Sequence, residues 1–233
     1  VRQTSARVTQ LEIVGSHVRV HFTSDLTLVP GQLALARLTG GYDPYLLHPL
    51  RPSAISQTGF GVDFPNSHPA LRSLNPADTI EVIGPVGNGV AVSSSRPHLL
   101  LIADSDPAPL LPFAHQALAR GGEATLLLAR PYPLDALDPE IELRVGDLLR
   151  LAAEYASSPA DHVFIHTDPA LHQPLRQVLA EARAFVPPDY ARVLMNRPMP
   201  CGLGACNACA VKTIHGWEWA CTDGPFFRLS DIT

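Results

Sequence analysis

The residues of this chain best suited to chemistry are its four cysteines, all of which fall between Cys201 and Cys221. They read Cys201-Gly-Leu-Gly-Ala-Cys206-Asn-Ala-Cys209, closed by Cys221, a C-x4-C-x2-C-x11-C spacing. Thiols gathered so tightly at one end of a 233-residue chain serve one object. An iron–sulfur cluster, a zinc ion and two disulfides are the candidates. C-x4-C-x2-C is the first part of the plant-type [2Fe–2S] spacing. A loop around a cluster must turn tightly and aim backbone N–H groups at sulfur, and Gly202, Gly204, Ala205 and Ala208 are small enough to allow it. Structural zinc favours two short C-x2-C-like pairs, and only one is present. Disulfides belong to oxidising compartments. The spacing therefore favours a [2Fe–2S] cluster on Cys201, Cys206, Cys209 and Cys221, with zinc and disulfides as the alternatives.

Cys221 needs a route back to the other three. Residues 210–214 and 217–220 flank His215-Gly216, which predicts a hairpin with that pair as its two-residue turn. Pairing across it sets Ala210 opposite Cys221 and brings Cys209 and Cys221 together. Trp217 and Trp219 share one face of the hairpin and are expected to pack. Among the 10 histidines, His162 and His166 flank a strand and His172 begins a helix, with no spacing such as H-E-x-x-H. These are expected to be ordinary surface or core histidines. No nucleophile motif organises the serines and aspartates.

The elements that carry this tail fall into two textures. Up to about residue 95 the chain shows short strands and turns: Val8, Leu11 and Ile13, then Val18, Val20 and Phe22, separated by Gly15-Ser16; residues 32–39 between Pro30-Gly31 and Gly40-Gly41; and residues 79–83 before Gly84-Pro85. An antiparallel β barrel is predicted. From Pro97 the period changes. Residues 98–103, 124–128, 141–145, 163–165 and 191–195 read as buried strands. Helices are predicted over 110–120, ending at Gly121-Gly122; from an Asp147 cap to Ala156; and along Leu171, Leu175, Val178, Leu179 and Ala182. The fold class is thus β barrel plus α/β, with a parallel sheet, and the expected domains are 1–95, 96–197 and a cysteine domain 198–233.

On such a sheet a dinucleotide sits at the carboxyl ends of the strands, where glycines let phosphate approach a helix N-terminus. Here the loop after the first parallel strand is Asp104-Ser-Asp-Pro-Ala-Pro109, and that after the fourth is Thr167-Asp-Pro169. Both are acidic and free of glycine, with Asp104 and Asp106 where phosphate should lie.

Composition narrows the function classes. The formal net charge of −5 with no basic run argues against nucleic acid. No apolar stretch approaches the roughly 20 residues of a membrane span. The sequence opens Val1-Arg-Gln-Thr-Ser with no apolar signal region, so a cytoplasmic setting is expected.

Taken together, these residues resemble the electron-transfer subunit of type B dihydroorotate dehydrogenase, within the ferredoxin-reductase superfamily. The resemblance rests on Pro30-Gly31-Gln32-Leu33, Leu50-Arg51-Pro52, Gly84-Pro-Val-Gly-Asn-Gly-Val90 and the tail ending Cys221-Thr-Asp-Gly-Pro-Phe226. It implies a flavin-binding barrel, a nicotinamide-domain-like α/β unit and a [2Fe–2S] tail relaying electrons between FAD, the cluster and a partner's flavin. By resemblance the four cysteines are cluster ligands, and Arg51-Pro52-Ser53-Ala54 stands where the family has Arg-Pro-x-Ser, whose Arg holds the FAD pyrophosphate. The fourth position is Ala54 rather than Ser, the family's later phosphate-binding Gly-Thr falls at about Ser67-His68, and the segment 55–69 is shortened. NAD is implied by the family, but the acidic loops at 104–109 and 167–169 depart from its glycine-rich loop and its Cys-Gly-Pro. The expected partner is a flavoprotein dehydrogenase catalytic subunit in a hetero-oligomer. The alternative is a docking or scaffold subunit that keeps the cluster and has lost flavin and NAD; a third is a stand-alone NAD(P)H-dependent reductase.

Overall fold

The computed structural model describes residues 1–38, 47–157 and 159–233. The predicted end of the third run, Thr39 with Gly40-Gly41, lies outside them. The chain divides into two compact units. The first takes residues 1–90, 196–211 and 217–225; the second takes 91–195, 212–216 and 226–233.

The first unit is built on a seven-stranded antiparallel, barrel-type sheet. Its strands are β1 (Arg2–Val14), β2 (His17–Ser24), β3 (Leu33–Ala36), β4 (His48–Leu50), β5 (Ala54–Ser56), β6 (Gly59–Pro65) and β7 (Thr79–Val86), ordered β4-β3-β7-β1-β2-β6-β5. Gly15 turns the first hairpin with φ 57°, and Val14 pairs His17 across it. Alternation along the strands turns Ala6, Val8, Val20, Phe22, Phe60, Val62 and Phe64 inward, where they pack with Leu26, Leu28 and Leu50. Gly59 is demanded by packing: a Cβ there would lie 1.8 Å from the carbonyl oxygen of Phe22.

The second unit holds a six-stranded sheet. Five strands are mutually parallel: β8 (His98–Ala103), β9 (Glu123–Leu128), β10 (Glu142–Val145), β11 (His162–His166) and β12 (Ala191–Leu194). Between them run α1 (Leu111–Leu118), α2 (Leu148–Tyr155) and α3 (His172–Glu181). The apolar runs are strands because both faces are covered: Leu99 to Ala103 are all buried. The Asp147 carboxylate accepts the Arg150 N–H at 2.8 Å and starts α2 as a cap. Gly121, at φ 68°, lies just past the end of α1.

The remaining strands come from the C-terminal tail. β13 (Ala210–Thr213) and β14 (Gly216–Trp219) form a two-stranded sheet, and β15 (Phe226–Arg228) adds to β12 antiparallel. The hairpin of β13 and β14 was expected, whereas no strand was expected at 226–228. Phe226 explains it: its ring meets Phe113 edge-on at 5.1 Å and Phe164 at 6.0 Å, while Phe113 and Phe164 stack at 3.9 Å. Such pairs add about 0.5–1.5 kcal/mol each beyond area burial. Asp189 fastens the same edge, bonding Arg192 at 2.6 Å and Arg228 at 2.8 Å.

Candidate functional site

The cysteine loop, in the first unit, is shaped by left-handed backbone. Gly202 (φ 66°), Gly204 (φ 73°) and Asn207 (φ 57°) take conformations that side chains with a branched Cβ avoid. Gly202 also has no room, since a Cβ would come 2.4 Å from Cδ1 of the buried Leu35. The consequence is that backbone donors face sulfur: the Gly204 N–H reaches Cys221 Sγ at 3.1 Å and the Leu203 N–H reaches Cys201 Sγ at 3.5 Å.

The four thiols are free and arranged as two pairs. Cys209 Sγ and Cys221 Sγ, both buried, lie 3.3 Å apart. That exceeds the roughly 2.05 Å of a disulfide and approaches the roughly 3.7 Å edge of a tetrahedron with 2.3 Å metal–sulfur bonds. Cys201, half-buried, receives both the thiol and the backbone N–H of the exposed Cys206. The pairs are neighbours, because Cys201 acts electrostatically on Cys221. Burial opposes ionisation of Cys201, but the donors of Leu203, Cys206 and Ala205 overcome it and bring its thiol down to about 7. Burial, then the Cys209 thiol, push Cys221 up to about 12 against the pull of the Gly204 N–H.

This donor set fits a two-iron cluster. Such a cluster takes four thiolates, two on each iron, and so asks for two pairs rather than four ligands around one point. Among the described residues no three His, Cys, Asp or Glu side chains gather about a single ion position.

The predicted proximity of Cys209 and Cys221 is present, but the hairpin register differs by one residue. The turn is Ile214-His215, and Gly216, with φ 115°, opens β14 instead of completing the turn. The Ala220 N–H donates to the Cys209 carbonyl at 3.0 Å, so Ala220 stands opposite Cys209. Trp219 does pack locally, its indole N–H bonding Asn207 Oδ1 at 2.6 Å; Trp217 is largely exposed.

Sequence reasoning attached no role to Asn88, and the structure gives it one. Within the first unit its amide NH2 donates to the carbonyls of Thr222 at 3.0 Å and Asp223 at 3.1 Å, and its backbone N–H donates to Gly224 at 2.6 Å. The Gly87 N–H bonds the Cys221 carbonyl at 3.0 Å, and a Cβ on Gly87 would meet Gly224 O at 2.8 Å. The Gly84–Val90 motif is thus the seat of the segment carrying Cys221.

The flavin-type motif follows β4. Arg51 Nε and Nη2 are buried. Ser53 is fully buried, and its hydroxyl bonds Asp63 Oδ1 at 2.6 Å and the Gly61 carbonyl at 3.3 Å. Asp63, its side chain without exposure, also takes two bonds from Arg19 at 2.7 and 2.8 Å. Ala54 opens β5, Pro52 is buried and Ser67 is exposed. His68 Nδ1 accepts the Ala70 N–H at 3.2 Å and its ring lies 4.9 Å from Phe64. Burial first, then His48, lower the His68 pKa. Of this set, Ser53 and His68 are engaged within the protein. The histidines of the second unit are ordinary: His162 Nδ1 and His166 Nδ1 donate to the carbonyls of Asp189 and Asp106, and His172 is buried, lowering its pKa.

Comparisons with known proteins agree with this geometry. Residues 196–233 match the family described as the iron–sulfur cluster binding domain of dihydroorotate dehydrogenase B. The chain is 28% identical to sulfhydrogenase 1 subunit gamma of Pyrococcus furiosus over 70% of its own length and 65% of that subunit. It therefore spans somewhat less than two thirds of this relative. It is 29% identical to the dihydroorotate dehydrogenase B (NAD(+)) electron transfer subunit of Bacillus caldolyticus, over 87% of this chain and 86% of that one. Against the putative equivalent of Thermotoga maritima, 34 residues are 60% identical, covering 15% of this chain and 16% of that one. Among solved structures, an NADH-dependent reduced ferredoxin–NADP oxidoreductase superposes with TM-score 0.77 at 21% identity, over 98% of this chain and 89% of that one. A ferredoxin reductase of carbazole 1,9a-dioxygenase gives 0.65 at 11% identity, covering 82% and 68%. Among the described residues no helix is long and apolar enough to cross a membrane. The tail of this chain thus matches the iron–sulfur cluster binding domain of dihydroorotate dehydrogenase B, and it is carried on a body that resembles ferredoxin reductases in fold and the electron-transfer subunits of that enzyme in sequence.

Proposed function

We propose that this chain is an electron-transfer subunit that holds a [2Fe–2S] cluster on Cys201, Cys206, Cys209 and Cys221, binds FAD in its barrel, and exchanges electrons with a flavoprotein dehydrogenase such as dihydroorotate dehydrogenase. The observation that carries the proposal is the pairing of the four thiols, Cys201 with Cys206 and Cys209 with Cys221. When bound, the cluster supplies one-electron redox chemistry and FAD the means to couple it to two-electron chemistry.

The chain's own residues hold and tune these groups. Gly204 and Leu203 turn N–H donors toward sulfur, stabilising negative charge there. Gly87 and Asn88 fix the turn segment carrying Cys221, keeping the second pair at its spacing. Exposure of Cys206 and Leu203 leaves this edge of the loop open to a redox partner in a hetero-oligomer. In the barrel, Arg51 is the donor for the FAD pyrophosphate and Ser67 a lesser one; Pro52, Ser53, Ala54 and His68 shape the wall of that site.

A specific observation favours a second reading. Ser53 is tied to Asp63 and His68 caps its own helical turn, so two members of the flavin motif serve the protein. On that reading the chain is a docking subunit with a cluster and no flavin. Extraction of the native protein separates the two: about one FAD per chain supports the relay, and cluster without flavin supports the docking subunit.

A further inference from the structure

The strand order β10-β9-β8-β11-β12 places the topological switch point between β8 and β11, because the chain winds from β8 outward to β10 and then returns to β11 on the other side. Open α/β sheets take their ligands in that crevice, at the carboxyl ends of the two strands. A dinucleotide phosphate there needs free backbone N–H groups and room for close approach.

We infer that in this chain the carboxylates of Asp104, Asp106 and Asp168 fill those donor positions from within, so that the α/β unit takes up no nicotinamide dinucleotide and electrons pass only between protein-bound groups. The Asp104 carboxylate, from the loop after β8, accepts the backbone N–H of Asp168, in the loop after β11, at 2.7 Å. This bond bridges the crevice itself. Asp106 accepts the Ala108 N–H at 2.9 Å, and Asp168 accepts the Ala170 N–H at 2.8 Å. The Asp106 carbonyl also receives His166 Nδ1–H at 2.7 Å, and the Asp104 N–H donates to the His166 carbonyl at 3.3 Å. Both loops are thereby tied to β11 and to each other.

Three further positions in these loops give phosphate no donor. Pro107, Pro109 and Pro169 have no N–H to give. Residues 104–109 contain no glycine, so a Cβ stands at each of them where a pyrophosphate would come near backbone. The two carboxylates at 104 and 106 add like-charge repulsion. A dinucleotide would have to break the Asp104–Asp168 bridge, displace two carboxylate caps and then sit beside the anions it had displaced. The inference stands independently of whether the barrel holds FAD.

The test is calorimetric titration of the native, cluster-containing protein with NADH, NADPH and ADP-ribose, each up to millimolar concentration. No saturable binding is expected, and saturable binding at micromolar ligand would overturn the inference. The triple variant Asp104→Ser/Asp106→Gly/Asp168→Gly frees the donors and removes the charge, and should bind ADP-ribose at least about tenfold more tightly than the native chain. The single variant Asp104→Asn keeps the bridge geometry without the charge and, folded like the native chain, should show a smaller gain. Variants that keep the native circular dichroism and cluster content yet gain nothing would refute the role given to these carboxylates. Cluster content is measured in the same samples, so loss of the cluster is told apart from failure of this inference.

Discussion

Replacing Asn88 by Ala should loosen the cluster without unfolding the barrel. The side chain gives two hydrogen bonds, to Thr222 O at 3.0 Å and Asp223 O at 3.1 Å, while its backbone bond to Gly224 survives the change. A neutral hydrogen bond is worth about 0.5–1.5 kcal/mol net. Both acceptors lie where water can replace the lost donor, so the low half of that range applies. The two together amount to about 1.5 kcal/mol, a little over tenfold in the equilibrium for lifting residues 221–224 off the Gly87-Asn88 seat. Iron release to an excess of chelator under anaerobic conditions reads that opening when closing outpaces capture. The expected result is iron loss about tenfold faster, with an unchanged urea midpoint for the barrel. Asn88→Asp should be worse, because it offers an anion to two carbonyls. Release within twofold of the native rate for both variants would refute the idea that Asn88 seats the ligand segment.

Other consequences are open to simple measurement. Gly202→Ala forces a side chain into φ 66° and against Leu35; left-handed strain of about 1–2 kcal/mol plus overpacking of about 1–3 kcal/mol should leave the purified protein largely without iron, read by colorimetric assay. Asp63→Ala strips the buried partner of Arg19 and Ser53, and should lower stability by about 3 kcal/mol in urea denaturation. His68 and His172 both have folded pKa values below 6.5, chiefly from burial, so the unfolded chain binds protons first as pH falls. Their contribution is full above 6.5 and is lost as pH drops below it toward the folded values; the urea midpoint should fall over that window, and less in His68→Gln/His172→Gln.

The fold was legible where burial writes itself into composition. The strands at 98–103 and 124–128 are covered on both faces and appear as unbroken apolar runs, and Asp147 announces α2 because a cap must sit one residue before the helix. The cysteine spacing was likewise local. What stayed hidden depends on partners far along the chain. β15 is three residues long and exists because Phe226 finds Phe113 and Phe164. Asp63 follows Val62 in strand β6 and carried no sequence signal of its own, yet Arg19 and Ser53, 44 and 10 residues away, hold it inside. The hairpin slipped by one residue because Gly216 has the positive φ expected of a turn but begins a strand with it.

The proposed relay depends on the paired thiols holding two irons. Iron, zinc and acid-labile sulfide should be counted on anaerobically purified protein, alongside its visible absorption. About two irons and two sulfides per chain with a visible iron–sulfur spectrum are expected. One zinc per chain, no labile sulfide and no visible absorption would contradict it.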